Sequence, residues 1–341
     1  MILRYFCVPM VDKRDILLKK IQEVRADNFD ALALAVFQYQ ARHNLLYRDY
    51  LNLLKINPST ITRIEAIPFL PISFFKTHPV ISQQLDKLPK TIFSSSGTTG
   101  KTTSRHYVRD LDFYKRNTVI GFEHFYGKVA DYCVLGLLPS YLERSGSSLI
   151  AMVDHFIRLS KYPQSGFFLY DHEALVEVLK ENQQQQIPTL LIGVSFALLD
   201  FAETHQLDLT NTIIMETGGM KGRRKEMTRE ELHGVLQPSF GVSAIHSEYG
   251  MTELLSQAYS RGNGIFYPMP TMKVLVREIT DPLTTIPNGK TGVLNIIDLA
   301  NLDSCAFVAT DDLGRVASDG SFEILGRLDA SDIRGCNLMV A

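Results

Sequence analysis

The chain has 341 residues, 45% of them hydrophobic and 21% charged, with a net charge of −2. That length buries a large core in one large or two medium domains, and the near-neutral balance argues against nucleic acid or an anionic membrane surface as a partner. No apolar run, Thr189–Leu199 included, reaches the length of a membrane span. The first residues mix Arg4, Pro9, Asp12, Lys13 and Arg14 among apolar ones, unlike a secretory signal or a transit peptide. Cys7, Cys133, Cys305 and Cys336 form no CxxC pair. Neither a disulfide framework nor a zinc site is indicated, and a reducing cytoplasm is the default.

Residues 12–55 read as helices, with Ile16, Leu17, Ile21 and Val24, then Leu32, Leu34, Ala35 and Phe37, near the helical period. Asn57-Pro58 and the Pro68/Pro71 pair break the chain into extended segments. From Thr91 the pattern alternates. Apolar runs at Cys133–Leu138, Gly166–Tyr170, Thr189–Val194 and Thr212–Met215 predict buried strands. Between them Ser147–Ser160, His172–Asn182, Ser195–Thr204 and Thr228–Val235 predict helices, the last with capping-box spacing from Thr228 to Glu231. This is an α/β pattern, a mostly parallel sheet covered by helices. Beyond Tyr267, strands at Lys273–Ile279, Thr291–Leu299, Ser304–Thr310 and Ser321–Leu325 predict an antiparallel sheet or small barrel. The reading is a single core domain over 1–341: mainly helical over 1–90, α/β over 91–266, and β-rich over 267–341.

Ser94-Ser95-Ser96-Gly97-Thr98-Thr99-Gly100-Lys101 is the most informative stretch. Small residues let backbone N–H groups approach an anion, and the hydroxyls add donors. A Walker loop fits poorly. Gly100-Lys101-Thr102 matches its end, but Ser95 stands where its first glycine belongs, and Thr102–Val108 reads as extended rather than helical. The run resembles instead the phosphate-binding loop of adenylate-forming enzymes, the acyl-CoA synthetases and their relatives.

Four further segments follow in that superfamily's order. Glu248-Tyr249-Gly250-Met251-Thr252-Glu253 is similar to its signature, which implies Tyr249 stacked on adenine, Gly250 at the nucleotide, Thr252 on the α-phosphate and Glu253 on Mg²⁺. The chemistry is coherent: a π face for a base, a hydroxyl for a phosphate, a hard oxygen for a hard cation. Thr217-Gly218-Gly219-Met220-Lys221 resembles the segment over the adenine ring, implying Gly218 and Gly219 beside the base. Thr310-Asp311-Asp312-Leu313-Gly314 resembles the ribose-binding segment, with Asp311 in place of a glycine and Asp312 as the ribose carboxylate. Gly326-Arg327-Leu328-Asp329 resembles the hinge, with Arg327 on ribose or phosphate.

The superfamily usually continues past the hinge into a mobile lid that brings a catalytic lysine. This sequence runs only a short way beyond Arg327, so the lid is expected to be absent, with Lys101 and Lys221 as candidates for the missing charge. With Pro71–Lys76 and Asp332–Cys336 added, the chain resembles the acyl-protein synthetases, the fatty-acid ligase of bacterial luminescence and its non-luminous relatives. The resemblance implies ATP and Mg²⁺ as cofactors, a carboxylic acid, in the first place a fatty acid, as substrate, and acyl-AMP as intermediate. It further implies an acyl thioester on Cys336, with an acyl-accepting reductase or carrier protein as partner. An acyl- or aryl-CoA ligase and a non-catalytic nucleotide-binding protein are the alternatives. Ile192–Asp200 and Met251–Leu255 are candidates to line an acyl pocket.

Overall fold

The computed structural model describes residues 12–82, 89–95, 103–138, 146–219, 224 and 227–328. The N-terminal region is helical: α1 (Lys13–Gln22), α2 (Phe29–His43) and α3 (Leu45–Leu53). Asp12 accepts from the Arg14 N–H at 3.1 Å and Asn44 from the Tyr47 N–H at 3.0 Å, each answering a donor left over at a helix start. The prolines that follow have distinct uses. Pro58 opens a 3₁₀ turn behind Asn57, and Pro71 ends β1 (Leu70–Pro71), ahead of the short α4 (Phe74–Thr77). Next, β2 (Thr91–Ser94) and β3 (Arg105–Val108) pair antiparallel, with Ser94 opposite Arg105.

After α5 (Leu111–Tyr126), strands and helices alternate: β4 (Cys133–Leu137), α6 (Ser148–Leu159), β5 (Gly166–Phe167), α7 (His172–Gln184), β6 (Thr189–Val194), α8 (Ser195–Thr204), β7 (Thr212–Thr217), α9 (Arg229–Phe240) and β8 (His246–Tyr249). The strands lie parallel in the order β5-β4-β6-β7-β8. Every residue of β4 and β6 is buried, because helices cover both faces; such strands read as unbroken apolar runs. The capping box forms as its spacing predicts: Thr228 Oγ1 accepts from Glu231 N at 3.2 Å and Glu231 Oε2 from Thr228 N at 2.8 Å. β5 is shorter than its apolar run. Leu169 turns the chain at a φ of +48°, and Asp171 then caps α7.

The remaining strands are antiparallel: β9 (Ala258–Ser260), β10 (Ile265–Pro268), β11 (Met272–Arg277), β12 (Thr285–Ile286), β13 (Thr291–Asp298), β14 (Phe307–Val316) and β15 (Phe322–Arg327). They do not close into a barrel of their own. β9 pairs with β8, and β10 with both β9 and β15. Among the described residues one sheet of 13 strands therefore runs β12-β11-β13-β14-β15-β10-β9-β8-β7-β6-β4-β5, with β1 parallel to β14. β14 begins at Phe307 rather than Ser304 because the Ser304 carbonyl is engaged elsewhere. It accepts from Gln40 Nε2 at 3.2 Å, Asn44 Nδ2 at 2.9 Å and Ser82 Oγ at 2.5 Å, which ties α2 to the β13–β14 connection. No helix among the described residues is long and apolar enough to cross a membrane.

Asp298, fully buried at the end of β13, fixes the segment that follows β8. It accepts from Leu255 N at 2.7 Å, Ser256 N at 3.1 Å, Ser256 Oγ at 2.5 Å, Ala300 N at 3.1 Å and Asn301 Nδ2 at 3.2 Å. Asn301 Nδ2 also donates to the Glu253 carbonyl at 2.9 Å. Asp298→Ala strands these donors without water, at about 1–3 kcal/mol for each left unsatisfied. A loss of at least ~3 kcal/mol in urea-induced unfolding is expected; a loss below ~1 kcal/mol contradicts this account of the clamp.

Candidate functional site

In a parallel sheet, ligands bind beyond the carboxyl ends of the strands. Here Val194 of β6 is level with Thr217 of β7, and Thr217 with Glu248 of β8, so three strand ends meet in one place. Thr217 Oγ1 donates to Glu248 Oε2 at 2.5 Å, across β7 and β8. The next residue, Gly218, turns away at a φ of +71°, where a side chain would strain the backbone. Gly218 and Gly219 are both exposed. Gly250 is needed for another reason: a Cβ there would fall 2.4 Å from Glu248 Oε1.

Tyr249 is 8% exposed, its ring edge-on to Phe266 at 6.0 Å and to Phe322 at 5.5 Å. Its hydroxyl donates to Asp312 Oδ2 at 2.8 Å. Asp312 lies opposite Arg327 in the β14–β15 register, and Arg327 Nε is 3.7 Å from Asp312 Oδ1. The proposed base, ribose and hinge residues thus come together from three separate segments. Burial pushes the Asp312 carboxyl above its ordinary range, against the Tyr249 hydrogen bond and the Arg327 charge.

Glu253 is 6% exposed. Burial raises its carboxyl too, while the Ser104 hydroxyl and the charges of Arg327 and Lys76 favour the ionised form. Ser104 sits at the base of the β2–β3 hairpin, where its N–H donates to Ser95 Oγ at 2.9 Å and Ser95 N donates to its carbonyl at 3.2 Å. Ser94 and Ser95, at the start of the Ser/Thr/Gly run, therefore stand close to Glu253, and the strand expected after the run is present as β3. Ser96–Lys101, Lys221, Asp329 and Cys336 lie outside the described residues. Arg224, three residues after Lys221, forks onto Glu203 of α8 at 2.7 Å and so is spent on a helix surface.

His106, Ser104 and Glu216 were not singled out in the sequence, and Ser195 entered only as a helix start and as part of the Ile192–Asp200 segment. His106 Nδ1 lies 2.9 Å from the Thr252 carbonyl. Burial pushes the imidazole down to about 4, so it is neutral and donates through Nδ1–H, fixing the backbone of the half-buried Thr252. Arg105-His106-Tyr107-Val108 reads locally as a plain strand, and no signal in it marks the histidine. His106 also borders a cleft with Arg109, Phe113, Leu255, Asp303 and Ser304, which includes none of Tyr249, Glu253, Asp312 and Arg327.

The structure of 2-hydroxyisobutyryl-CoA ligase with 2-HIB-AMP and CoA superposes with a TM-score of 0.66 at 13% identity, over 89% of this chain and 71% of that one. In its thioesterification state the values are 0.62 and 12%, over 95% and 70%. The fold is that of the adenylate-forming ligases. ATP-bound MatB from Rhodopseudomonas palustris matches this adenylate-forming fold with a TM-score of 0.52 at 16% identity, over 72% of this chain. The chain covers 49% of that MatB chain, about half its length. The family model of the acyl-protein synthetases, LuxE, matches residues 14–112, from α1 through the Ser/Thr/Gly run to the start of α5. No curated protein matches the chain in sequence.

Both carboxylate oxygens of the half-buried Asp312 already accept or pair, whereas Asp311 uses its backbone, accepting from Leu328 N at 2.7 Å. Charge-assisted hydrogen bonds are worth roughly 1.5–3 kcal/mol. Asp312→Ala is accordingly expected to weaken ATP binding about 10- to 150-fold, and Asp311→Ala much less, by calorimetric titration. The reverse order would mean that the neighbouring carboxylate is the ribose ligand.

Proposed function

We propose that this chain activates a carboxylic acid, a fatty acid in the first instance, with ATP as acyl-AMP, and passes the acyl group to a thiol. The observation that carries the reading is the convergence of Tyr249, Asp312, Arg327 and Glu253 beside the base of the Ser/Thr hairpin. In this reading the nucleoside lies along Tyr249, Gly218 and Gly219, with its ribose hydroxyls on Asp312 and Arg327. The phosphates extend past Thr252 to Ser94–Gly100, and Lys101 supplies a positive charge to them.

The residues also fit a divalent cation. Glu253 is a buried hard-oxygen donor whose raised carboxyl a cation would bring back to the ionised form. Bound Mg²⁺ would offset the repulsion between the acid and the α-phosphate. Glu253→Gln is expected to lower acid-dependent exchange of pyrophosphate into ATP by about 10²-fold or more, with the thermal midpoint retained. A change below about threefold at saturating Mg²⁺ removes Glu253 from the site. Absence of exchange with every acid in a broad panel would overturn the enzymatic reading and leave a nucleotide-binding protein.

Cys133 and Cys305 are fully buried, and burial pushes the Cys133 thiol up and the Cys305 thiol up to about 12. Neither is a thiolate at neutral pH, and the thiolate is the nucleophile. We assign the acyl-carrying role to Cys336: its thiolate attacks the acyl carbonyl, AMP leaves with the electron pair of the anhydride bond, and the thioester is handed to a partner protein. With ATP, Mg²⁺ and labelled fatty acid, hydroxylamine-labile label is expected on the denatured wild-type chain and not on Cys336→Ser, which still makes acyl-AMP. Coenzyme A is the alternative acceptor, and the CoA-bound ligase of the same fold supports it. Acyl-CoA formation without a labelled protein intermediate would favour it.

A further inference from the structure

Ser195 opens α8 immediately after β6 and is 3% exposed. Its one hydroxyl hydrogen is shared between two acceptors, the Gly218 carbonyl at 2.8 Å and Glu216 Oε2 at 3.1 Å. It thereby ties down the turn that leaves β7 through a left-handed glycine. Glu216 is 5% exposed, with Arg229 Nε 3.3 Å and His233 Nε2 3.7 Å from its Oε1. Burial works to raise the Glu216 carboxyl, but His233 and Arg229 hold it below its ordinary value. The Arg229 guanidinium lies 4.9 Å from the centre of the Phe266 ring, a cation–π distance. Phe266 stacks on Phe322 at 5.5 Å, and both meet the Tyr249 ring edge-on.

One buried carboxylate is therefore connected to both sides of the nucleoside site. On one side Ser195 holds the Gly218 carbonyl; on the other Arg229 and the Phe266/Phe322 pair hold Tyr249. We infer that Ser195 and Glu216 are positioning residues that set the width of the base slot between the Gly218 turn and Tyr249. The inference rests on the adenylate-forming reading and adds to it two residues that touch neither nucleotide nor metal. Among the described residues the hydrogen bonds of this network run to the nucleoside side of the site, whereas those that hold the Ser/Thr hairpin and the Glu253 backbone run through Ser95, Ser104, Asn301 and Asp298. A lesion in it should weaken recognition of the nucleoside and leave recognition of the polyphosphate intact, which a general loss of structure would not do.

The test is calorimetric titration of the full chain with ATP and, separately, with tripolyphosphate, both with Mg²⁺. Ser195→Ala is expected to weaken ATP by about tenfold, the loss of one well-placed hydrogen bond, and tripolyphosphate by less than about twofold. Ser195→Thr, which keeps the hydroxyl, should restore most of the ATP affinity. If Ser195→Ala fails to fold, Glu216→Gln carries the same comparison. Equal losses for the two ligands, or an unchanged ATP affinity, would overturn the inference while leaving the adenylate-forming reading in place. A wild-type chain that binds ATP no more tightly than tripolyphosphate would have no base slot, and would overturn both.

Discussion

Taking an ionised carboxylate out of water is costly unless donors or opposite charges answer it on the spot, and this sheet buries several within a short span. Glu216 and Glu248 lie buried at the ends of β7 and β8 and Asp298 at the end of β13, and Asp312 on β14 is mostly covered, its side chain 13% exposed. Each is answered by a hydroxyl: Ser195 on Glu216, Thr217 on Glu248, Tyr249 on Asp312 and Ser256 on Asp298. These pairs decide where neighbouring strand ends can sit. The glycine turn, the Tyr249 ring and the Glu253 backbone take their positions from them.

The architecture supplies the reason such groups collect here. Parallel strands β4 and β6 are buried along their whole length, so polar groups gather at the strand ends. At β8 the pairing turns antiparallel, and through β9 and β10 the sheet continues to β15 and β14. That continuation delivers Asp312 and Arg327 to the same edge as Tyr249, although the chain between them crosses several strands. α2 contributes from outside the sheet, because Gln40 and Asn44 hold the β13–β14 connection that carries Asn301 and Ser304. The region matched by the acyl-protein synthetase model thus supports an edge whose Tyr249, Asp312 and Arg327 lie beyond that match.

Local chemistry made much of this legible in the sequence. Unbroken apolar runs marked β4, β6 and β7 because burial on two faces removes the alternation, and the Thr228/Glu231 spacing placed the start of α9 correctly. Order along the chain, together with the superfamily resemblance, nominated Tyr249, Asp312 and Arg327, and these do come together. What the sequence withheld depends on distant partners. Nothing near Ser195 or Glu216 announces that one hydroxyl will bridge two strand ends, and His106 sits in an ordinary strand pattern until Thr252, far along the chain, offers its carbonyl. The union of the two halves of the sheet was equally hidden, since β9 and β10 are short and partly polar. Bounds of β5 and β14 were set by a left-handed turn at Leu169 and by the hydrogen bonds on Ser304.

The central claim is that the edge formed by β7, β8 and β14 receives the nucleoside of ATP. A crystal structure of the full chain with ATP and Mg²⁺ tests it most directly. The account predicts adenine between the Gly218 turn and Tyr249, both ribose hydroxyls within hydrogen-bonding distance of Asp312, and the metal on Glu253. Nucleotide density in the cleft beside His106 and Asp303, with Asp312 still bonded only to Tyr249 and Arg327, would contradict it.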